Sequence, residues 1–244
     1  MAASPGKRPI SPTSCAAISP ERQTRTLYGR RKGKPLRAGQ ARLLGDLLPR
    51  LSVPAEGPIE PLRLFGTSIR AVRLEIGFGG GEHLLRHALA APDIGLIGCE
   101  PFVNGVAKLL AQVEQHAISN VRVHAGDARE VLSRLPAECL DRVDLLYPDP
   151  WPKRRQRKRR FVSPETLSQI AASLKPGAAL RFASDIDDYT GWTLAHVLAG
   201  HEFRWDGHGA SDWRQPWADW QPTRYEEKAR REGRDSAYLT LTRA

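Results

Sequence analysis

Val72-Arg73-Leu74-Glu75-Ile76-Gly77-Phe78-Gly79-Gly80-Gly81, residues 72–81, is a short apolar run that stops on glycines. Leu84, Leu85, Ala88 and Leu89 then repeat at helical spacing, so the stretch reads as strand, tight turn, helix. The same alternation continues outward. Strands are predicted over 94–99, 121–124, 143–147, 178–183, 203–206 and 236–242. Between them, Val103, Val106, Ala107, Leu110 and Val113 form an amphipathic helical stripe, and helices are predicted over 128–135 and 189–199. Ser163-Pro164-Glu165 has the order of an N-cap, a first-turn proline and a first-turn acid. It opens a helix through Leu167, Ile170, Ala171 and Leu174 that Lys175-Pro176-Gly177 ends. Strands alternating with helices give an α/β fold, a mostly parallel sheet with helices on both faces. Ligands of such sheets sit beyond the C-terminal strand ends.

Those strand ends carry the informative residues. Glycines at alternate positions let backbone approach a bulky ligand closely. A dinucleotide fingerprint would need glycine at position 82, where the chain has Glu82, a poor neighbour for pyrophosphate, so a nicotinamide dehydrogenase is disfavoured. Gly77 and Gly79 preceded by the acid Glu75 instead suit S-adenosylmethionine, whose sulfonium is cationic. Glu100 closes the second strand, where a carboxylate either accepts both ribose hydroxyls or caps a helix. Asp127 closes the third, where it either reaches an adenine edge or serves as an ordinary N-cap. Acids at three successive strand ends favour an adenosylmethionine-type site.

The fourth strand runs into Pro148-Asp149-Pro150-Trp151-Pro152 and then Lys153-Arg154-Arg155-Gln156-Arg157-Lys158-Arg159-Arg160, seven cations in eight residues. The prolines stiffen the loop that carries Asp149 and Trp151, an acid and an aromatic suited to a nucleobase. The whole chain has net charge +10, from 37 basic and 27 acidic residues. Residues 1–50 hold 11 basic and 2 acidic side chains, and the 153–160 run sits inside a nearly neutral remainder, so two separated basic segments favour a nucleic-acid partner.

The chain of 244 residues is expected to divide into a basic, disordered arm over 1–40, a short helix and linker over 41–70, and one domain over 71–244. No apolar run is long enough to span a membrane, and no secretory signal is evident. Three scattered cysteines exclude a disulfide framework and fit a reducing cytoplasm. His83 and His87 stand four apart on a helix, but no cysteine or paired acid accompanies them, so no metal is expected. Trp213, Trp217 and Trp220 are read as packing over the C-terminal strands, with base stacking as the alternative.

LEIGFGGG at 74–81, YPDPWPKRRQRKRR at 147–160, FASD at 182–185 and TRYEEK at 223–228 resemble the bacterial tRNA (guanine-N7-)-methyltransferases, from about Gly29 to the C-terminus. The resemblance implies a class I S-adenosylmethionine-dependent, Rossmann-like fold with a seven-stranded sheet whose last strand is antiparallel. It implies methylation of guanosine 46 in the tRNA variable loop, in the cytoplasm. Carried over by position, Glu75, Glu100, Asp127 and Asp149 match cofactor positions, Asp149 also being the catalytic candidate. Lys153, Asp185, Thr223, Arg224, Tyr225 and Glu226 match substrate positions. Arg154, Arg155, Arg157, Lys158, Arg159 and Arg160 are candidates for the tRNA backbone. Gln156 stands where the family usually has histidine. Two other readings compete. One is a class I methyltransferase acting on a different RNA or a small molecule, and the other a non-catalytic RNA-binding relic of the fold. The intact acids and glycines argue against the relic. Oligomeric state is left open.

Overall fold

The computed structural model describes residues 27–65 and 68–244; residues 1–26 of the expected arm lie outside the described residues. Its centre is a seven-stranded sheet. Its first four strands, which pair parallel as the sequence pattern predicts, are β1 (Ala71–Ile76), β2 (Ile94–Cys99), β3 (Val121–His124) and β4 (Leu140–Leu146). β5 (Leu174–Ser184), which continues parallel to β4, β6 (Phe203–Arg204) and β7 (Ala237–Arg243) complete it in the order β3-β2-β1-β4-β5-β7-β6, with β7 antiparallel to both neighbours. Such central strands are buried on both faces and so read as apolar runs rather than alternating ones. Ile97, Val72, Val143, Phe182 and Leu239 are fully buried accordingly.

Register is what builds the site. Ile76 of β1 lies beside Cys99 of β2 and Leu145 of β4, and Cys99 lies beside His124 of β3. The turns leaving these four strands therefore start side by side, at the switch point where the strand order reverses. The crossover helices are α3 (Glu82–Ala90), α4 (Val103–Gln115), α5 (Ala128–Leu132), α6 (Pro164–Ser173) and α7 (Asp187–Ala199). α6 opens as its sequence predicts: Ser163 Oγ accepts from Thr166 N at 3.3 Å and Thr166 Oγ1 accepts from Ser163 N at 3.0 Å. Before the sheet, α1 (Ala38–Asp46) and α2 (Leu48–Leu51) bury Leu43 and Leu51 in the same apolar cluster as Val106 and Leu110 of α4.

Three local differences from the sequence reading have physical causes. The helix expected over 128–135 stops at Leu132. β5 starts at Leu174, not 178, because Leu174 pairs with Leu140 before the register shifts to Ala179 and Arg142. Lys175-Pro176-Gly177 is thus a break in a strand as well as the end of a helix. Two further helices, α8 (Ser211–Arg214) and α9 (Arg224–Arg231), had no apolar stripe to announce them. In α9 only Glu226 and Ala229 are buried.

Trp217 and Trp220 pack edge-on against Tyr238 of β7 at 5.5 and 5.6 Å, and Trp213 packs on Trp205 at 5.6 Å, the packing arrangement expected for this cluster. Among the described residues no helix is long and apolar enough to cross a membrane, and no group of three or more His, Cys, Asp or Glu side chains is placed to hold a metal.

Candidate active site

The turns leaving β1, β2, β3 and β4 enclose a cavity of about 770 Å³. Of the residues singled out in the sequence, Gly77, Gly79, Glu100, Asp127, Asp149, Trp151, Lys158, Arg159, Arg160 and Tyr225 line it. Gly77 has φ +74°, and a Cβ there would stand in open space, so backbone is presented bare to whatever enters. Gly79 has φ +59° and lies against Tyr225 and Arg224; a Cβ would come within 3.2 Å of the Tyr225 hydroxyl. Both torsions favour glycine, which explains the alternate spacing.

Glu100 does more than face the cavity. Its Oε2 accepts from Gly79 N at 2.7 Å and its Oε1 from Phe102 N at 2.8 Å, pinning the glycine turn to the start of α4. Both oxygens keep lone pairs for a ligand hydroxyl. Burial raises its pKa above the usual carboxylate range despite these two donors, and the charge of Asp149 adds to the rise. Asp127 satisfies the capping reading: it accepts from Arg129 N at 3.0 Å and from the Arg129 guanidinium, while its side chain still borders the cavity.

The loop after β4 is held in an unusual shape. Tyr147 at φ +48° and Trp151 at φ +41° bracket the two prolines, a left-handed conformation uncommon outside glycine and found where a site imposes it. Asp149 sits between them at the cavity mouth. It keeps contact with solvent, yet crowding by the loop raises its pKa above the ordinary range, and it has no hydrogen-bond partner among the described residues. Glu100 and Asp149 thus place two carboxylates on a cavity wall that also carries Arg30, Arg129, Lys158 and Arg159.

Sequence reasoning missed the segment that covers this mouth. Residues 27–34, assigned to the arm, run across it: Val103 N donates to Arg31 O at 3.0 Å, and Asn104 bonds both Gly33 N at 2.7 Å and Lys34 O at 2.8 Å. Tyr28 meets Trp151 edge-on at 6.3 Å, and the Arg159 guanidinium lies 4.8 Å from the Tyr28 ring and 4.9 Å from the Trp151 ring. No apolar periodicity marks this segment, and only Tyr28 among its polar neighbours hinted at a contact.

The basic run splits into two groups. It forms a 3-10 helix, Arg154–Arg159, rather than an irregular loop. Lys153, Arg154, Arg155 and Lys158 are exposed. Arg160, expected on the tRNA backbone, is instead buried: it donates to Pro150 O at 2.8 Å and pairs with Asp188, bracing the Asp149 loop from behind. Arg157 also pairs with Asp188, at 2.5 Å. The two share the single Asp188 carboxylate, which ties both to the start of α7, and only Arg160 is buried away from solvent.

The TRYE stretch is the start of α9. Thr223 is its N-cap, accepting from Glu226 N at 3.3 Å, and Glu226 is buried, accepting from Trp220 Nε1 at 2.7 Å. Tyr225 points to the cavity and stacks on Tyr147 at 6.3 Å, with Arg224 Nη2 donating to its hydroxyl at 3.0 Å. Asp185 lies away from the cavity lining and pairs with Arg234 at 2.8 Å. Lys153 is likewise outside the lining.

Glu75 is not brought into the cavity lining either. It is buried behind the glycine turn, with Oε2 2.8 Å from His83 Nδ1. His83 Nε2 in turn lies 3.0 Å from His87 Nε2. Burial, with the charges of His83 and Arg142, lowers the pKa of His87 to about 4. Below an unfolded value near 6.5 the unfolded chain takes up a proton at His87 that the folded chain refuses until about 4. Stability therefore falls as pH drops through that window. His87→Gln is expected to flatten this part of the curve, read by urea unfolding at stepped pH; an unchanged slope contradicts the assignment.

Residues 70–239 match a family model described as "Putative methyltransferase". A tRNA (guanine-N(7)-)-methyltransferase of Rhizobium meliloti is 54% identical over 225 residues, covering 91% of this chain and 97% of its own. One of Nitrobacter hamburgensis is 53% identical over 220 residues, covering 89% and 86%. Among solved structures, the aminoglycoside resistance methyltransferase NpmB1 superposes with a TM-score of 0.51 at 18% identity, covering 73% of this chain and 89% of that one. At that identity the likeness is one of fold.

Proposed function

The chain belongs to the tRNA (guanine-N7-)-methyltransferase family, and from that premise we propose that it transfers a methyl group from S-adenosylmethionine to N7 of guanosine 46 in the tRNA variable loop. The observation that carries this reading is the cavity at the strand ends. Bare backbone at Gly77, two carboxylates of raised pKa and an aromatic wall meet there, beside four exposed cations. The donor set fits S-adenosylmethionine: Glu100 offers acceptors for ribose hydroxyls, Asp127 borders the far end, and the carboxylate of Asp149 suits a sulfonium. With the cofactor bound, an N7–carbon bond forms as the sulfur–carbon bond breaks, and the leaving group departs as a neutral thioether.

N7 carries a free in-plane lone pair, so no proton has to be removed first. The protein's work is alignment and charge placement. Asp149 is assigned to the base: an ionised carboxylate there accepts from the guanine N1–H and N2–H edge and balances the positive charge arriving on the ring. Tyr225, backed by Tyr147, and Trp151 with Tyr28 supply flat surfaces on either side of the mouth. Thr223 and Glu226 act one step back, by fixing the start of α9. Lys153, Arg154, Arg155 and Lys158 are placed on phosphates. We assign the catalytic body to residues 71–244 and place the protein in the cytoplasm, with its tRNA substrate.

The position is tested with two transcripts of one tRNA that differ only in guanosine or adenosine at 46. Label from methyl-labelled S-adenosylmethionine is expected in the first alone; equal incorporation in both overturns position 46. Charge predicts a second result. If the four exposed cations each neutralise a phosphate, tRNA affinity falls about a hundredfold between 50 and 200 mM salt. A filter-binding series with a flat salt response contradicts that placement.

A further inference from the structure

Behind the glycine turn lies a buried polar chain that the mechanism above does not use. His83 Nδ1 faces Glu75 Oε2 at 2.8 Å, and a carboxylate only accepts, so Nδ1 carries a proton. His83 Nε2 faces His87 Nε2 at 3.0 Å, and one of the two must donate. Arg142 Nη2 faces the same His87 nitrogen at 3.4 Å, and a guanidinium is only a donor. The arrangement that satisfies both contacts has His87 Nε2 accepting, its one lone pair shared between His83 and the longer Arg142 contact, and His83 Nε2 carrying the second proton. We propose that His83, held as an imidazolium between Glu75 and His87, is a positioning residue for methyl transfer: it fixes the Glu75 carboxylate beneath the glycine turn and so shapes the cofactor end of the cavity.

The surroundings are consistent with that proton. The charged and titratable groups facing His83 are Glu75 from β1, His87 on its own helix, and Arg142 and Asp144 from β4. Burial opposes the charged form, but Glu75 and Asp144 outweigh it and His83 is raised above its ordinary value. Asp144 Oδ1 is buried without a hydrogen-bond partner among the described residues, while its Oδ2 accepts from Arg142. His87 is pushed the other way, to about 4, and stays neutral.

The chain also joins the two walls of the cavity. Arg142 pairs with Asp144 at 2.9 Å and with Asp219 at 3.1 Å, and Asp219 pairs with Arg181 at 2.7 Å. Next to Asp219, Trp220 packs its ring 5.5 Å from that of His83 and donates to Glu226, one residue from Tyr225. The floor under Gly77 and the α9 wall over Gly79 thus rest on one polar support. In the sequence, His83 and His87 offered only their spacing.

The positioning role rests on the methyl-transfer reading, whereas the protonation rests on geometry, so the test separates them. Histidine side-chain NMR of the full chain without cofactor is expected to show His83 doubly protonated at neutral pH and His87 singly protonated. A neutral His83 overturns the proposal. Calorimetry then compares S-adenosylmethionine binding. His83→Leu is expected to weaken it about tenfold, the scale of losing a hydrogen bond to a charged group, with tRNA affinity unchanged. His83→Asn, which keeps a donor toward Glu75, is expected to recover part of the loss. The wild type should also weaken as pH rises through the raised His83 value, a limb missing from His83→Asn. Wild-type affinity in both variants, or the same alkaline limb in His83→Asn, overturns the positioning role. If His83→Leu does not fold, the asparagine variant and the NMR signals still decide. A wild type that binds no S-adenosylmethionine overturns the methyl-transfer reading and the positioning role with it, while the NMR signals still decide the protonation.

Discussion

Asp149→Ala is expected to lower the rate constant of methyl transfer by a factor of about 100 to 1000, the scale of removing one preorganised electrostatic partner of a transition state. Affinity for tRNA should change by no more than about threefold, because phosphate contacts dominate nucleic-acid affinity and this substitution removes no cation. The rigid shape of the loop, set by Pro148 and Pro150 between left-handed Tyr147 and Trp151, leaves the carboxylate on the cavity lining without a hydrogen-bond partner among the described residues. Its raised pKa gives the prediction a sign in pH: the ionised form is the working one, so the acid limb of the rate lies above the ordinary carboxylate range. Asp149→Asn keeps the shape, loses the charge and should lose that limb. Single-turnover rates alongside filter binding separate the two effects. Equal losses in rate and affinity would make Asp149 a binding residue only.

Gly105→Ala is the second large effect, and its sign is a contest. Alanine in place of a helical glycine gains about 1 kcal/mol of propensity. At Gly105, in the first turn of α4, an added Cβ would stand 2.1 Å from the Gly79 carbonyl oxygen and 3.4 Å from Glu100 Cγ. The obstacle is backbone, so the glycine turn or the helix must move, and overpacking of this kind costs about 1–3 kcal/mol. A net loss of stability is expected, with weaker S-adenosylmethionine binding because the displaced turn is a cavity wall. Gly191→Ala in α7 is the control. Nothing lies within 4 Å of its added Cβ, so propensity acts alone and the midpoint of unfolding should rise. Stabilisation by Gly105→Ala, with unchanged cofactor binding, would mean that the close contact with Gly79 is not maintained in solution.

What could be read from the sequence follows from what each element buries. β1, β2 and β4 announce themselves because central strands bury both faces, the edge strand β3 shows only alternating burial, and the last residues of all four mark the site because register aligns their ends. Glu100, Asp127 and Asp149 were found for that reason. α9 was not, since RYEEKARR buries only a glutamate and an alanine and has no stripe to detect. Residues 27–34 were read as arm because their contacts are backbone hydrogen bonds and cation–aromatic packing, which leave no hydrophobic period. The basic run looked uniform, yet Arg157 and Arg160 differ from their neighbours by facing Asp188, a partner distant in sequence. Glu75 sat at the expected strand end but turned to His83, a pairing that the i, i+8 separation does not advertise.

The most direct measurement is incubation of the purified chain with methyl-labelled S-adenosylmethionine and unmodified bulk tRNA, followed by digestion and identification of the labelled nucleoside by mass. Label in 7-methylguanosine is the predicted result. Label in another nucleoside, or none on tRNA from a protein that binds the cofactor, would contradict the account.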